Sequence, residues 1–247
     1  LALKYLKKAI KIRKNISDNN DDLSISYNDI GIIYWSLGKY DLALEYHQKS
    51  LDIKKELNDQ LGVAYSYSNM SSVYRGIGDY NLASEYDFNA LEILLEHYGK
   101  HHPEVAIIYN KLGLNYWKQG KYDLALEYHY KALELRIRTL GAEHHFTGTS
   151  YNNIGTVYLA QQNYDLAIDN YSKAVTILLK NLGEHHYEVG ETYGNLGWTY
   201  YQTGNYLKAE EYIQKAYDIY LAVYGAKYFV TVRLNEILQM CKEQLNK

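Results

Sequence analysis

Five times along the chain a tyrosine is followed by a second tyrosine seven residues later and a third six residues after that. The triplets are Tyr27/Tyr34/Tyr40, Tyr67/Tyr74/Tyr80, Tyr109/Tyr116/Tyr122, Tyr151/Tyr158/Tyr164 and Tyr193/Tyr200/Tyr206, and their starts lie 40, 42, 42 and 42 residues apart. A fixed period in this range marks a stacked repeat array, in which each unit buries its apolar face only against its neighbours. One elongated body is therefore expected rather than a domain built around a single central core.

Numbering each repeat so that its first tyrosine is position 4 exposes the helices. Positions 4, 7, 8 and 11 fall within about 100° of one another on a helix and form the buried stripe of a first helix, helix A. In the third repeat these are Tyr109, Leu112, Gly113 and Tyr116. Position 15 is Gly38, Gly78, Gly120 and Gly204 in four of the repeats, where a glycine past the last turn ends helix A. A second helix, helix B, carries alanine at position 20: Ala43, Ala83, Ala125, Ala167 and Ala209. Small residues there and at position 8 (Gly31, Ser71, Gly113, Gly155, Gly197) let two helices approach closely. The unit is an antiparallel helical hairpin.

This pattern, a large residue, then Leu-Gly, Tyr, and alanines on the second helix, resembles the tetratricopeptide repeat. Two long-repeat subfamilies are similar in detail. The exits Tyr98-Gly99-Lys100-His101-His102-Pro103, Leu140-Gly141-Ala142-Glu143-His144 and Leu182-Gly183-Glu184-His185-His186 resemble those of kinesin light chains. The stretches Ala43-Leu44-Glu45-Tyr46-His47 and Glu56-Leu57-Asn58-Asp59-Gln60-Leu61-Gly62 resemble the Leu-Gly-Asn repeat adaptors. The resemblance implies an all-α, right-handed superhelical solenoid of antiparallel helix pairs. The expected layout is one solenoid over 1–247: a half repeat at 1–20, full repeats at about 24–63, 64–105, 106–147, 148–189 and 190–229, and a capping helix at 230–247. Ala2, Tyr5 and Ala9 match a helix B without its helix A, and the chain opens at Leu1 inside a repeat, as a fragment would.

Composition narrows the function classes. The net charge is −3 with no block of five like charges, so no nucleic-acid footprint is expected. No apolar run approaches a membrane span, and no membrane insertion is expected. Cys241 is the single cysteine, which excludes an internal disulfide or a cysteine-built zinc site and suits a cytoplasmic location. No Gly-x-Ser-x-Gly elbow, phosphate-binding loop or His-Glu-x-x-His motif is present. The expectation is a non-enzyme without cofactor, metal or catalytic residues. The pairs His101-His102, His144-His145 and His185-His186 recur once per repeat, and the resemblance implies helix caps there rather than metal ligands. Most of the 30 tyrosines sit at positions 4, 11, 17 and 23, where packing wants a large ring with a polar tip.

The face of helix A opposite the core stripe departs from a plain solvated face. Position 5 holds Asn28, Asn110 and Asn152; position 6 holds Asp29, Asn69, Lys111, Asn153 and Asn195; positions 9 and 12 include Trp198, Trp35, Arg75, Trp117 and Tyr201. In the tetratricopeptide family this face lines a concave groove. Amides there both donate to and accept from a peptide backbone, and rigid aromatic rings anchor it at little entropic cost. In both similar subfamilies position-6 asparagines grip extended partner segments. Asn69, Asn153 and Asn195 match, whereas Asp29 and Lys111 depart. The expected function is a scaffold binding a partner peptide in this groove, through Asn28, Trp35, Asn69, Arg75, Asn110, Lys111, Trp117, Asn152, Asn153, Asn195, Trp198 and Tyr201. The alternative is a sensory or regulatory module of a larger signalling protein that binds a peptide ligand or an internal segment. Self-association through the array ends is compatible with either.

Overall fold

The computed structural model describes residues 2–13 and 20–246, and among these there are twelve helices and no strand. They are α1 (Ala2–Arg13), α2 (Asn20–Ser36), α3 (Tyr40–Glu56), α4 (Gln60–Ile77), α5 (Tyr80–Tyr98), α6 (Pro103–Lys118), α7 (Tyr122–Leu140), α8 (His145–Ala160), α9 (Tyr164–Leu182), α10 (Tyr187–Gln202), α11 (Tyr206–Tyr224) and α12 (Phe229–Leu245). The even-numbered helices are helices A and the odd-numbered ones helices B. The chain divides into two compact units, Leu1–Lys121 and Tyr122–Lys247, with the division inside the third repeat. The segment expected as a leading half repeat contains α1, while the side chains of Ala2 and Ala9 and the segment 14–19 lie outside the described residues. In the five full repeats helix A starts three or four residues ahead of the expected repeat boundary, and α12 starts one residue ahead of the expected capping helix, because the exit loops are short.

The tyrosine period reflects one packing motif used repeatedly. Tyr46 of α3 lies 5.9 Å from Tyr27 and 5.5 Å from Tyr34 of α2, ring centre to ring centre. Tyr86 sits in the same way on Tyr67 and Tyr74, at 5.8 and 5.1 Å. Tyr212 repeats it on Tyr193 and Tyr200, at 5.9 and 5.6 Å. Position 7 is a fully or nearly fully buried aliphatic or methionine each time: Ile30, Met70, Leu112, Ile154 and Leu196. The rings wall the hairpin and position 7 fills its centre.

Position 8 is small because of position 24 on helix B. A Cβ added to Gly31 would lie 2.6 Å from the His47 ring, one on Gly155 2.9 Å from Tyr171, and one on Gly197 2.7 Å from Ile213. The second repeat admits Ser71 at this place, and there position 24 is Asp87, shorter than its counterparts.

The helix ends follow local rules. Gly78 closes α4 at φ +94, and Gln162 takes the same left-handed conformation at φ +60 in the one repeat without the glycine. At the helix A starts, His102, His144 and His186 each turn Nδ1 toward the backbone N–H two residues on, at 3.3, 3.2 and 3.3 Å. These are the N-caps that the resemblance implied at the histidine pairs. Cations at the ends of helices B then tie into the next helix A. Arg13 donates to Ser26 Oγ and to the Asp22 carbonyl, and Arg136 donates to Ser150 Oγ at 2.7 Å and to the Phe146 carbonyl at 2.9 Å. Cys241 is buried in the core of the second unit with Leu234, Ile237 and Leu238, and burial pushes its thiol pKa up.

Candidate functional site

Helices A of consecutive repeats lie side by side, so their outward positions 2, 5, 6, 9 and 12 form a continuous face within each unit. The asparagines on it pair across repeats. In the first unit Asn69 Nδ2 donates to Asn28 Oδ1 at 2.7 Å, and the same oxygen lies 3.1 Å from His47 Nδ1. In the second unit Asn195 Nδ2 donates to Asn152 Oδ1 at 3.2 Å, with Asn152 buried. Lys111 substitutes for the amide between the second and third repeats, donating to Ser68 Oγ at 2.5 Å and to the Ser68 carbonyl at 3.1 Å. A position-6 donor thus reaches the position-5 residue of the preceding helix A. Asn110 and Asn153 lie half-buried on the same face and are themselves engaged in further contacts.

The aromatic candidates differ in exposure. Trp35 is 43% exposed while its Nε1 donates to the Ser72 carbonyl of the next helix A at 3.1 Å. Trp117 is half-buried, with Lys118 Nζ 4.4 Å from its ring centre. Trp198 and Tyr201 stack at 5.4 Å with 6° between their planes, and Tyr201 meets Tyr206 edge-on at 5.3 Å.

Arg75 is turned inward. Its Nε donates to Asn115 Oδ1 at 2.6 Å, and its Nη2 donates to Asp87 Oδ2 at 3.1 Å and to Ser71 Oγ at 3.2 Å. Asn115 Nδ2 completes the set on Asp87 Oδ2 at 2.9 Å. Asp87 and Asn115 are fully buried, and Asp87 Oδ1 is left without a hydrogen bond. Burial raises the Asp87 carboxyl pKa, against the pull of Lys111 and Arg75, and burial brings Lys111 down to about 8. The guanidinium therefore neutralises a core carboxylate instead of projecting from the face. Periodicity could not reveal this, but the coincidence of Arg75, Asp87 and Asn115 in places that are otherwise largely apolar or uncharged is a readable signal.

A pocket of about 300 Å³ opens between the first and second repeats, lined by Ile25, Asn28, Ser50, Lys54, Asp59, Leu61, Gly62, Tyr65 and Ser66. Lys54 sits at its side in ion pairs with Asp59 at 2.7 Å and Asp21 at 2.5 Å. Of the sequence candidates only Asn28 lines it. Position 2, which supplies Ile25 and Tyr65, drew no candidates, although exposed apolar residues recur there in Ile25, Tyr65 and Ile107. No group of three histidine, cysteine or acidic residues able to hold a metal occurs among the described residues. No helix is long and apolar enough to cross a membrane.

These features define a helical-repeat chain of the kind that serves as a protein–protein interaction scaffold. The tetratricopeptide repeat model matches residues 1–56, 62–136, 104–180 and 146–222, and the chain belongs to that family. No curated protein sequence matches significantly. Among solved structures it is similar to BtubC (BKLC) from P. vanneervenii, at 24% identity over 91% of this chain and 90% of that one, with a TM-score of 0.76. A putative kinesin light chain with nearly identical repeats from Podosopora anserina aligns at 19% identity over 83% and 97%, with a TM-score of 0.68. A signal transduction ATPase with numerous domains, with a tetratricopeptide repeat sensor, from Pyrococcus horikoshii aligns at 20% identity over 95% and 33%, with a TM-score of 0.69.

Proposed function

We propose that this protein binds a peptide segment of a partner along the helix A face, as a non-catalytic scaffold. The observation that carries the reading is the composition of that face. Amides at positions 5 and 6, exposed apolar side chains at position 2 and tryptophans at positions 9 and 12 line it where a solvated helix would carry charge. Asn69 and Asn195 each spend one N–H on the neighbouring repeat. An amide has a second N–H and a carbonyl oxygen, so the pairing orients the group toward a peptide backbone without exhausting it. On the first unit the pocket beside Asn28 suits one apolar side chain of a bound segment, and on the second unit stacked Trp198 and Tyr201 offer a flat anchor. The likeness to a repeat sensor favours a second reading in which the ligand is a short free peptide or an internal segment, captured on the same face.

The test is to pan a displayed random-peptide library on the chain and to titrate selected peptides against tryptophan fluorescence. All three tryptophans, Trp35, Trp117 and Trp198, lie on the helix A face, so binding there should shift the emission. Replacing Trp198 and Tyr201 by alanine should weaken binding by roughly tenfold or more. Peptides that bind without any change in emission, and equally well to that variant, would place the site elsewhere.

A further inference from the structure

The second unit carries a group of stacked aromatic rings near its C-terminal end. Tyr220 and Tyr224, on the last turns of α11, stack at 5.7 Å, and the Tyr228 ring lies 4.6 Å from Tyr224 and 6.2 Å from Tyr220. Phe229 follows at 4.9 Å and is 73% exposed. Beside these rings, α10 presents Tyr187, Glu188 and Glu191. Glu188 is held from both sides: Tyr187 donates to Oε1 at 3.3 Å and Thr149 to Oε2 at 3.1 Å. Glu191, at position 2, has no hydrogen bond or ion pair among the described residues. It is open to solvent but walled by protein, and lost hydration together with the nearby Glu188 charge pushes its carboxyl pKa up.

Among the described residues no lysine or arginine forms an ion pair with these carboxylates, and the basic group within electrostatic reach of Glu188 is the His145 imidazole. The basic groups of the second unit that form ion pairs do so elsewhere, as Lys173 with Asp169, Lys180 with Glu143, Lys215 with Glu211 and Arg233 with Glu236. Lys227, in the adjoining loop, is exposed and forms no ion pair. Two carboxylates on a stretch of α10 packed against these stacked rings, where a Cβ on Gly190 would lie 3.2 Å from Tyr220, favour one kind of guest: ring quadrupoles and carboxylates both attract a cation, and a flat guanidinium or an alkyl-ammonium stem covers aromatic surface at the same time.

We propose that Tyr187, Glu188, Glu191, Tyr220, Tyr224 and Phe229 form a subsite for an arginine or lysine side chain of the bound peptide. The assignment rests on the peptide-binding reading above and adds the chemistry of the partner: the segment lying on the second unit carries a basic residue at this point. Glu188, oriented by its two hydroxyl donors, supplies a fixed acceptor, Glu191 supplies the charge that lacks a partner, and the rings bury the stem.

The experiment uses peptides panned on the whole chain. The selected set should be enriched in arginine and lysine. For a selected peptide, replacing its basic residue by an uncharged one (citrulline for arginine) should weaken binding roughly tenfold, and by much less against a Glu188→Gln, Glu191→Gln variant. Raising the salt concentration should weaken the wild-type complex more than the variant complex. Circular dichroism of the variant checks its fold. Peptides that still depend on Trp198 and Tyr201 but show no basic enrichment, or bind the double variant with full affinity, would overturn this subsite and leave groove binding standing. Failure to select any peptide would overturn both.

Discussion

The two units handle charge in opposite ways. In the first, Arg75, Asp87 and Asn115 close on one another inside the stack, and Lys54 and Lys111 are taken up by neighbouring carboxylates, carbonyls and hydroxyls. In the second, Glu188 and Glu191 stand one turn apart on α10, with hydroxyl donors on Glu188, the His145 imidazole within electrostatic reach of it, and no ion pair to a lysine or arginine among the described residues. Both arrangements occupy repeat positions that serve packing or solvation elsewhere. Charges whose partners are supplied by the fold hold repeats in register; charges without a partner in the fold remain available to another molecule. The same contrast runs through the histidines at position 24. His47 has Asn28 against its Nδ1, whereas both ring nitrogens of His129 are buried without a hydrogen bond.

The sharpest way to break the comparison is Arg75→Ala. It would leave Asp87 buried without its counterion and should cost about 3–5 kcal/mol in urea unfolding. Converting the cluster to the solution of the fourth repeat, by Ser71→Gly, Arg75→Leu and Asp87→Tyr together with Asn115→Thr (the counterpart of Thr199, so that no buried amide is stranded), should recover most of that loss. A small cost for Arg75→Ala alone would mean the pair is not structural.

Acidification comes next. Burial lowers His47 to about 4, and burial with the Arg136 charge lowers His129 to about 3, both from 6.5. The unfolded chain therefore takes up protons first. The stability that these neutral rings contribute is complete above pH 6.5 and is lost as pH falls toward 4 and then 3. For His47 the loss is on the order of 3 kcal/mol. Asp87, with its raised carboxyl, acts in the opposite sense, so the histidine contribution is isolated by comparison with a His47→Phe, His129→Phe variant, whose midpoint in urea should fall less between pH 7 and pH 5. At neutral pH His129→Phe alone should stabilise the protein by about 1–2 kcal/mol, because it removes two unsatisfied nitrogens from a site whose counterparts in other repeats are Tyr171 and Ile213.

Smaller effects separate register from recognition. Asn69→Ala and Asn195→Ala each remove one half-buried amide bond between repeats and should cost about 1 kcal/mol in thermal or urea unfolding. Glu188→Gln with Glu191→Gln should change stability by less than about 0.5 kcal/mol, since no ion pair is lost, while altering peptide affinity. A large loss of stability from that pair would move the two carboxylates into the structural class and erase the difference between the units.

Much of the hairpin was legible in the residues. The stripe at positions 4, 7, 8 and 11 and the glycine stops are short-range consequences of helix geometry, and each lies where its spacing placed it; the histidine caps lie where the resemblance implied them. The candidate site was legible only as a face. That Arg75 would turn inward depended on Asp87, twelve residues away in sequence, and on Asn115, forty away. The apolar pocket beside Asn28 drew on position 2, where apolar residues recur without breaking any pattern.

By itself the sequence determined that this chain is a tetratricopeptide array of helical hairpins, because helix periodicity, small residues at close crossings and left-handed stops act within one repeat and are written five times over. Only the tertiary structure decided which polar groups are satisfied, since each of those bonds joins one repeat to the next and depends on distances that no single repeat encodes. Asn28 with Asn69, Lys111 with Ser68 and Asn152 with Asn195 are matched in that way, while Glu191 has no hydrogen bond or ion pair among the described residues.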